Sequence, residues 1–409
     1  GVENTITGAG AATSLTQGDR NTAIGRVSLA TETLGERNVA VGYGTLQNQN
    51  NTTETNSYNT AVGYVAGNDI TTGTLNTLIG ALAGDKLTAA SSNTAVGYNS
   101  LSTDVLGALS TAVGRDALKS QNFTTATNSH NTAVGYIAGG AMTTGTQNTF
   151  IGSSAGDALT DADYNTAVGY IALSSDTLGS ASTAIGFRAL NAQNFTTATN
   201  SHNTAVGYQA GNVLTTGVQN TFIGSNSGDA LTDADHNVAV GYFALSSDTL
   251  GSKSVAVGYA ALGDQNFTTA TDSNNVAVGY NAGRNVSTGR FNVFVGSNAG
   301  DANTGGDYNV AIGPDAMSAE VEGNASTAVG VGALQNQTTA TSTTVANVAV
   351  GYHAGNDITS GTRNTLIGTF AGDVLTTGNY NVTNGYGSLS ADTQGSTAVA
   401  IGYQALVAQ

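Results

Sequence analysis

An all-β parallel solenoid is the fold class this sequence predicts, and three observations predict it. The hexapeptide Asn131-Thr132-Ala133-Val134-Gly135-Tyr136 returns at Asn165–Tyr170, Asn203–Tyr208 and, with Val for Thr, at Asn275–Tyr280. Its glycine recurs 23 times, from Gly8 to Gly402, and every three intervals of seventeen positions are followed by one of twenty-one. The resulting superperiod of 72 leaves no room for a second domain, so residues 1–409 read as one repetitive array. Such an interval is too short for a helix-pair repeat of about 33 residues or a propeller blade of about 40. It fits one solenoid coil of two short strands and two turns. At about 4.8 Å per coil the whole array is expected to be on the order of 110 Å long.

Composition supports this reading and excludes others. The chain has 55 Gly, 1 Pro, no Cys, no Trp and 9% charged residues, against 39% apolar ones. That pattern does not match disordered chains, which combine low hydrophobicity with high charge. A net charge of −16 with 11 scattered basic residues disfavours nucleic acid, which needs clustered Lys and Arg. No apolar run is long enough to cross a membrane as a helix, so no membrane insertion is expected. The absence of Cys removes disulfides and thiolate metal sites. The first residue, Gly1, is expected to mark a processed product or a piece of something longer.

Each slot is numbered from the motif glycine as zero. Slot −1 is Val or Ile in 21 copies, Thr7 and Asn384 being the others. A β-branched residue stacked on its own kind is the natural filling of a coil, so Val134 and its equivalents are expected inside. Slot −2 is usually Ala, but Leu78, Phe150, Phe222, Phe294 and Leu366 interrupt it. In those copies slot +1 is Ala81, Ser153, Ser225, Ser297 and Thr369, whereas elsewhere it is often Tyr. Exchange of bulk at constant total predicts that slots −2 and +1 fill a common space. Strict alternation would separate them, so the glycine is expected to bend the strand.

Slot −4 is Asn in 18 copies, which predicts a side-chain amide ladder or closure of the preceding turn. Slot −7 is Gly in 15 copies and becomes Asn56, Asn128, Asn200 and Asp272 in four of the longer coils. Those types tolerate positive φ, so a left-handed turn residue is expected there. The four extra residues always precede the next Asn-Thr-Ala-Val-Gly. Examples are Gln121–His130, Gln193–His202 and Gln265–Asn274. They form a longer loop on one edge, carrying Phe123, Phe195 and Phe267.

A thin core of Ala, Val and Gly buries little surface, and a second face at slots −2 and +1 would remain open on a single chain. Several chains side by side are therefore expected to share it. The Asn-Thr-Ala-Val-Gly-Tyr-x-Ala copies resemble the head repeats of YadA-type trimeric autotransporter adhesins, with their Asn/Ser-x-Ala-x-Gly core. They are more similar still to the repeat arrays of bacteriophage tail fibres. The resemblance covers essentially the whole chain, although the adhesin repeat is shorter than the one found here. It implies a left-handed parallel β-roll, a homotrimer, and a role in surface attachment from a virion tail fibre or the cell surface.

Candidate sites are few. His130, His202 and His236 occupy slot −5, which elsewhere holds Tyr58, Tyr164, Tyr308 or Tyr380. This interchange predicts surface packing in preference to metal binding. Asp85, Asp157, Asp229, Asp301 and Asp373 follow Ala-Gly or Ser-Gly, and Asp161/Asp163 and Asp233/Asp235 lie at turns. They read as solvated turn residues, with calcium the lesser alternative, since that ion needs six to eight oxygens. Every acid belongs to a series, so no isolated pair of carboxylates marks a glycosidase, and no catalytic or cofactor-binding residue stands out. Slot −3 Thr could form an ice-binding array, but Val39, Val238, Val255, Val276, Val293, Val310 and Val348 interrupt it. Phe123, Phe195 and Phe267 either tuck back onto the coils or contact a host glycan or receptor. The structural ladder is expected from Asn131, Val134, Gly135 and Tyr136.

The expected function is a non-enzymatic fibre shaft of a phage tail fibre or surface adhesin that spaces or presents an attachment site. The alternative is a self-assembling extracellular filament or surface layer, because the array begins and ends in mid-superperiod. A glycan-cleaving tail spike is a minor third.

Overall fold

A computed structural model describes residues 1–407. It is all-β, a parallel solenoid of about 23 coils, one for each copy of the motif, with no helix among the described residues. The chain divides into two compact units, Gly1–Asn203 and Thr204–Gln409. In each unit, one three-residue strand per coil spans slots −3 to −1, as in Thr132–Val134 and Thr149–Ile151. Successive strands pair in parallel with no slip: Thr132 opposes Thr149, Ala133 opposes Phe150 and Val134 opposes Ile151. The expected second strand is absent from the coils that do not border an insertion. It appears where the insertion enters, as two-residue pairs such as Gly107–Ala108 with Thr127–Asn128. The remainder of each coil is turn, but the turns are hydrogen-bonded between coils as regularly as the strands. The Ile137 N–H donates to Arg115 O (3.0 Å) and the Gly139 N–H to Ala155 O (3.0 Å).

Burial follows strict alternation, and this corrects the expected core. Even slots −4 and −2 point in, and odd slots −5, −3, −1 and +1 point out. Ala133 is fully buried, while Val134 is 37% exposed and Ile151 40%. The Val/Ile ladder therefore lies outside the coil, and the Ala/Phe/Leu ladder lies inside.

The bulk exchange is real, but slot +1 is the wrong partner. The chain bends at Gly135, yet Tyr136 beyond it is 46% exposed and shares no space with slot −2. The true partner is slot +4. Where slot −2 is Ala, slot +4 is mostly a buried Leu such as Leu118, Leu173 or Leu190, except in the coil just before a large slot −2 residue, where it is Gly, as in Gly139. Where slot −2 is Phe150, slot +4 is Gly156, and a Cβ there would come 2.5 Å from two atoms of the ring. Gly139, one coil earlier, is as close to the ring's other side, at 2.7 Å. Leu78 with Gly67 and Gly84 repeats the arrangement. The large slot −2 residue fills the space that glycines at slot +4 leave in its own coil and in the preceding one.

The motif glycine is required for two reasons. Gly135 has φ +145°, and a Cβ on it would stand 2.3 Å from Gly152 O of the next coil. The left-handed residues are not at slot −7, where Gly145 lies outside the positive-φ set. They fall at slots −5, +2 and +4, as in His130 (φ 51°), Ile137 (φ 56°) and Leu118 (φ 48°). Each left-handed non-Gly residue costs roughly 1–2 kcal/mol, and the inter-coil hydrogen bonds offset it. Slot −7 prefers Gly because a Cβ on Gly145 would meet Ala162 O at 2.2 Å.

Candidate functional site

Odd-slot side chains build one outward face in each unit. Slots −3 and −1 give it Thr/Val and Val/Ile, slot +1 a row of Tyr, and slot −5 Tyr, His and other residues. The Tyr rows stack: Tyr43 on Tyr64 (5.4 Å between centroids, 11° between planes), Tyr242 on Tyr259 (5.6 Å) and Tyr259 on Tyr280 (5.2 Å). Arg115 reaches the rings of both Tyr98 and Tyr136, at 6.0 and 5.6 Å.

Beneath that face runs the Asn131 ladder. It combines both expected uses, but its partners are mainly backbone. Asn131 Oδ1 accepts from the Asn148 N–H (2.9 Å), and Asn131 Nδ2 donates to Gly145 O (2.7 Å). Each fully buried amide thus satisfies backbone groups of the next coil. Side-chain-to-side-chain amide contacts occur as well, for example Asn148 Nδ2 to Asn131 Oδ1 (3.2 Å).

The four-residue insertions are held by a buried carboxylate that composition gave no sign of. Asp104 Oδ1 accepts from the backbone N–H groups of Gly107 (3.0 Å) and Phe123 (3.0 Å), and its Oδ2 accepts from Gln121 Nε2 (2.6 Å). Gln121 Oε1 in turn accepts from Asn131 Nδ2 (2.9 Å). The set repeats at Asp176–Gln193–Asn203 and Asp248–Gln265–Asn275. In the first and last insertions the acid is Glu32 or Glu320, and Asn51 or Thr339 stands where the others have Phe. A longer acid with a smaller partner fills the same volume. The cue in the sequence is an acid at slot +7 followed by Gln at slot +7 of the next coil. An isolated buried charge is costly, and here charge-assisted hydrogen bonds offset the cost.

Phe123, Phe195 and Phe267 lie in this buried layer at 5–6% exposure. The Phe123 ring packs against Gly107, where a Cβ would come within 2.8 Å of its Cδ2. Little of each ring remains for a ligand, and the tucked arrangement is the one observed. His130, His202 and His236 are exposed at slot −5, while His353, at slot +2, is half-buried beside Tyr352 and Phe370.

The acids divide into types. Asp161 and Asp163 cap neighbouring turns, accepting from Thr144 Oγ1 (2.8 Å) and the Thr146 N–H (2.6 Å). Asp85, Asp157, Asp229, Asp301 and Asp373 are not solvated as expected. They are half-buried, each with Oδ1 enclosed and unpartnered, and burial pushes all five carboxyls above their ordinary range. Among the described residues, no group of three or more His, Asp or Glu side chains converges as a metal site would.

No protein-family model matches this chain, and no curated protein matches it in sequence. The fold class, a parallel β-solenoid repeat, therefore rests on the coils themselves.

Proposed function

We propose that this chain is the non-enzymatic shaft segment of a trimeric attachment fibre, of the phage tail-fibre or surface-adhesin kind, displayed on a virion or outside the cell. The observation that carries this reading is the outward face. Val134, Ile151, Ile185 and their equivalents form a β-branched row, interrupted at Asn384 and flanked by stacked Tyr, and within each unit no other element among the described residues covers it. Burying such a row yields about 25 cal/mol per Å², and identical coils in identical register offer each other a matching surface. Three copies packed on slots −3, −1 and +1 of this face, with slot −5 left at its open edge, supply the core that a single coil of Ala and Leu lacks. Hydrogen-bonded turns and strands then give a stiff, protease-resistant spacer. Attachment chemistry belongs to the edges that remain outside.

Substituting Lys for Val134, Ile151 and Val168 places three charges on the row. The reading expects these changes to dissociate the oligomer while the β circular-dichroism signal persists. Unchanged oligomeric state would remove this face as the interface, and open-ended polymer from the parent chain would favour a filament instead.

A further inference from the structure

The repeats act as an internal control: a site with a specific ligand should be where one copy departs from the others. One groove does so. It lies in the second unit, beside the insertion that precedes Asn275. Asp233, Asp235, Ser252, Asp272, Arg290 and Phe291 line it, and its volume is about 780 Å³. Small-ligand sites occupy roughly 300–1,000 Å³. One superperiod before Asp272, Arg290 and Phe291 stand Asn200, Val218 and Gln219, and one superperiod after them stand Thr344, Thr362 and Arg363. Only this copy brings a carboxylate, a guanidinium and a phenyl ring to these three positions.

We infer that this groove binds a neutral sugar ring of a surface glycan. Phe291 is 41% exposed and stacks parallel on Tyr308 at slot −5 of the next coil, with centroids 5.0 Å apart and planes 2° apart. Tyr308 backs one face of the Phe291 ring and holds it in place, and Phe291 alone of the two lines the groove, an aromatic ring of the kind on which the C–H face of a sugar packs. Arg290 spends one nitrogen on Asp307 (3.1 Å) and keeps further donors. Asp235 Oδ1 is used by the Val218 N–H (2.8 Å) and Asp233 Oδ1 by Thr216 Oγ1 (2.8 Å), which leaves each carboxylate a second acceptor oxygen. Asp272 pairs with Lys253 through one oxygen only. Fixed donors and acceptors beside an aromatic ring match the hydroxyls and the C–H face of a sugar. The charges disfavour an anionic ligand: Lys253 pairs with Asp272 and Arg290 with Asp307, and the remaining acids, Asp233 and Asp235, repel an anionic sugar.

This inference rests on the attachment reading for its biological sense, but the two fail separately, because oligomeric state tests that reading and sugar titration tests this one. The probes are the methyl glycosides of glucose, galactose, mannose and N-acetylglucosamine, with hexalysine as the cationic control. The assay is saturation-transfer NMR followed by calorimetric titration of the full chain. The expected result is binding of at least one glycoside with its ring protons nearest an aromatic residue, and no binding of hexalysine at this groove. The comparison is the variant D272N/R290V/F291Q, which takes the side chains found one superperiod earlier and so asks the fold for nothing it does not already accommodate. It should keep the parent's circular dichroism and oligomeric state and lose at least about tenfold in affinity. No glycoside binding by the parent, undiminished binding by the variant, or hexalysine displacing the glycosides would each overturn the inference.

Discussion

Phe150→Ala is the substitution that most fully exercises the packing described above. The ring is completely buried and lies between Gly139 and Gly156, whose missing Cβ atoms leave the space it fills. Truncation should cost about 3–5 kcal/mol, the usual range for a buried phenylalanine. The same coils provide a remedy. In coils such as Ala167 with Leu173, Ala at slot −2 goes with Leu at slot +4, at a left-handed φ near that of Gly156, 51° against 58°. F150A/G156L nearly conserves volume and should recover about 2 kcal/mol, the burial of one Leu less its left-handed strain. F150A/S153Y restores bulk at slot +1, which faces outward, and should recover nothing. Repeat arrays lose stability locally, so the assay is hydrogen exchange on peptides spanning residues 132–156, alongside thermal unfolding. Rescue by the Tyr variant and not by the Leu variant would refute the pairing of slots −2 and +4 and reinstate the −2/+1 exchange.

Three other perturbations follow from the same geometry. Gly135→Ala places a Cβ 2.3 Å from Gly152 O at φ +145°, so it should destabilise its coil by more than about 1 kcal/mol; a neutral effect on thermal unfolding would mean the coils are not that close. Gln121→Leu removes the side-chain partner of Asp104 Oδ2 and one of the two acceptors of Asn131 Nδ2 in a buried layer. It should cost about 3 kcal/mol and open residues 122–130 to limited proteolysis, and continued protease resistance there would contradict the clamp. The third concerns pH. Burial raises Asp85, Asp157, Asp229, Asp301 and Asp373 above the ordinary 3.8. Such groups hold their protons more tightly folded than unfolded, so stability falls as pH rises from 3.8 through the raised values and stays lowered to neutrality. The fivefold Asp→Asn variant should unfold at a higher temperature than the parent at pH 7, with the gap closing below pH 3.8. Solvent keeps each contribution small, because the groups are only half-buried. An equal or lower unfolding temperature at pH 7 would refute the burial argument.

The period of the sequence is enough to read the coil, its parallel register and the role of Asn131 as a ladder. The interior is harder to read, for a physical reason. In a strand of three residues, one residue points in and two point out, so the more hydrophobic ladder need not be the buried one. Val134 faces out because the inward side beneath Ala133 is already filled by Leu118 of the preceding coil and Phe150 of the next, which meet at Gly139. Slot +4 lies across a bend, where alternation along one strand no longer assigns a face. Glycine at slot −7 suggests positive φ, but close approach between coils is the other reason for glycine. Asp104 is hidden by its type, since a lone Asp near a turn reads as solvated. Only the coincidence with Gln121 one coil later marks it. The groove at Arg290 and Phe291 is legible in principle, as the place where the copies one superperiod apart disagree.

The most direct test of the central claim is the mass of the native particle in solution, by sedimentation equilibrium or light scattering of the purified chain. If the Val/Ile and Tyr face is covered by copies of itself, the particle should have a single mass three times the 40.6 kDa of the chain at all accessible concentrations. A stable monomer with that face open to water would contradict it.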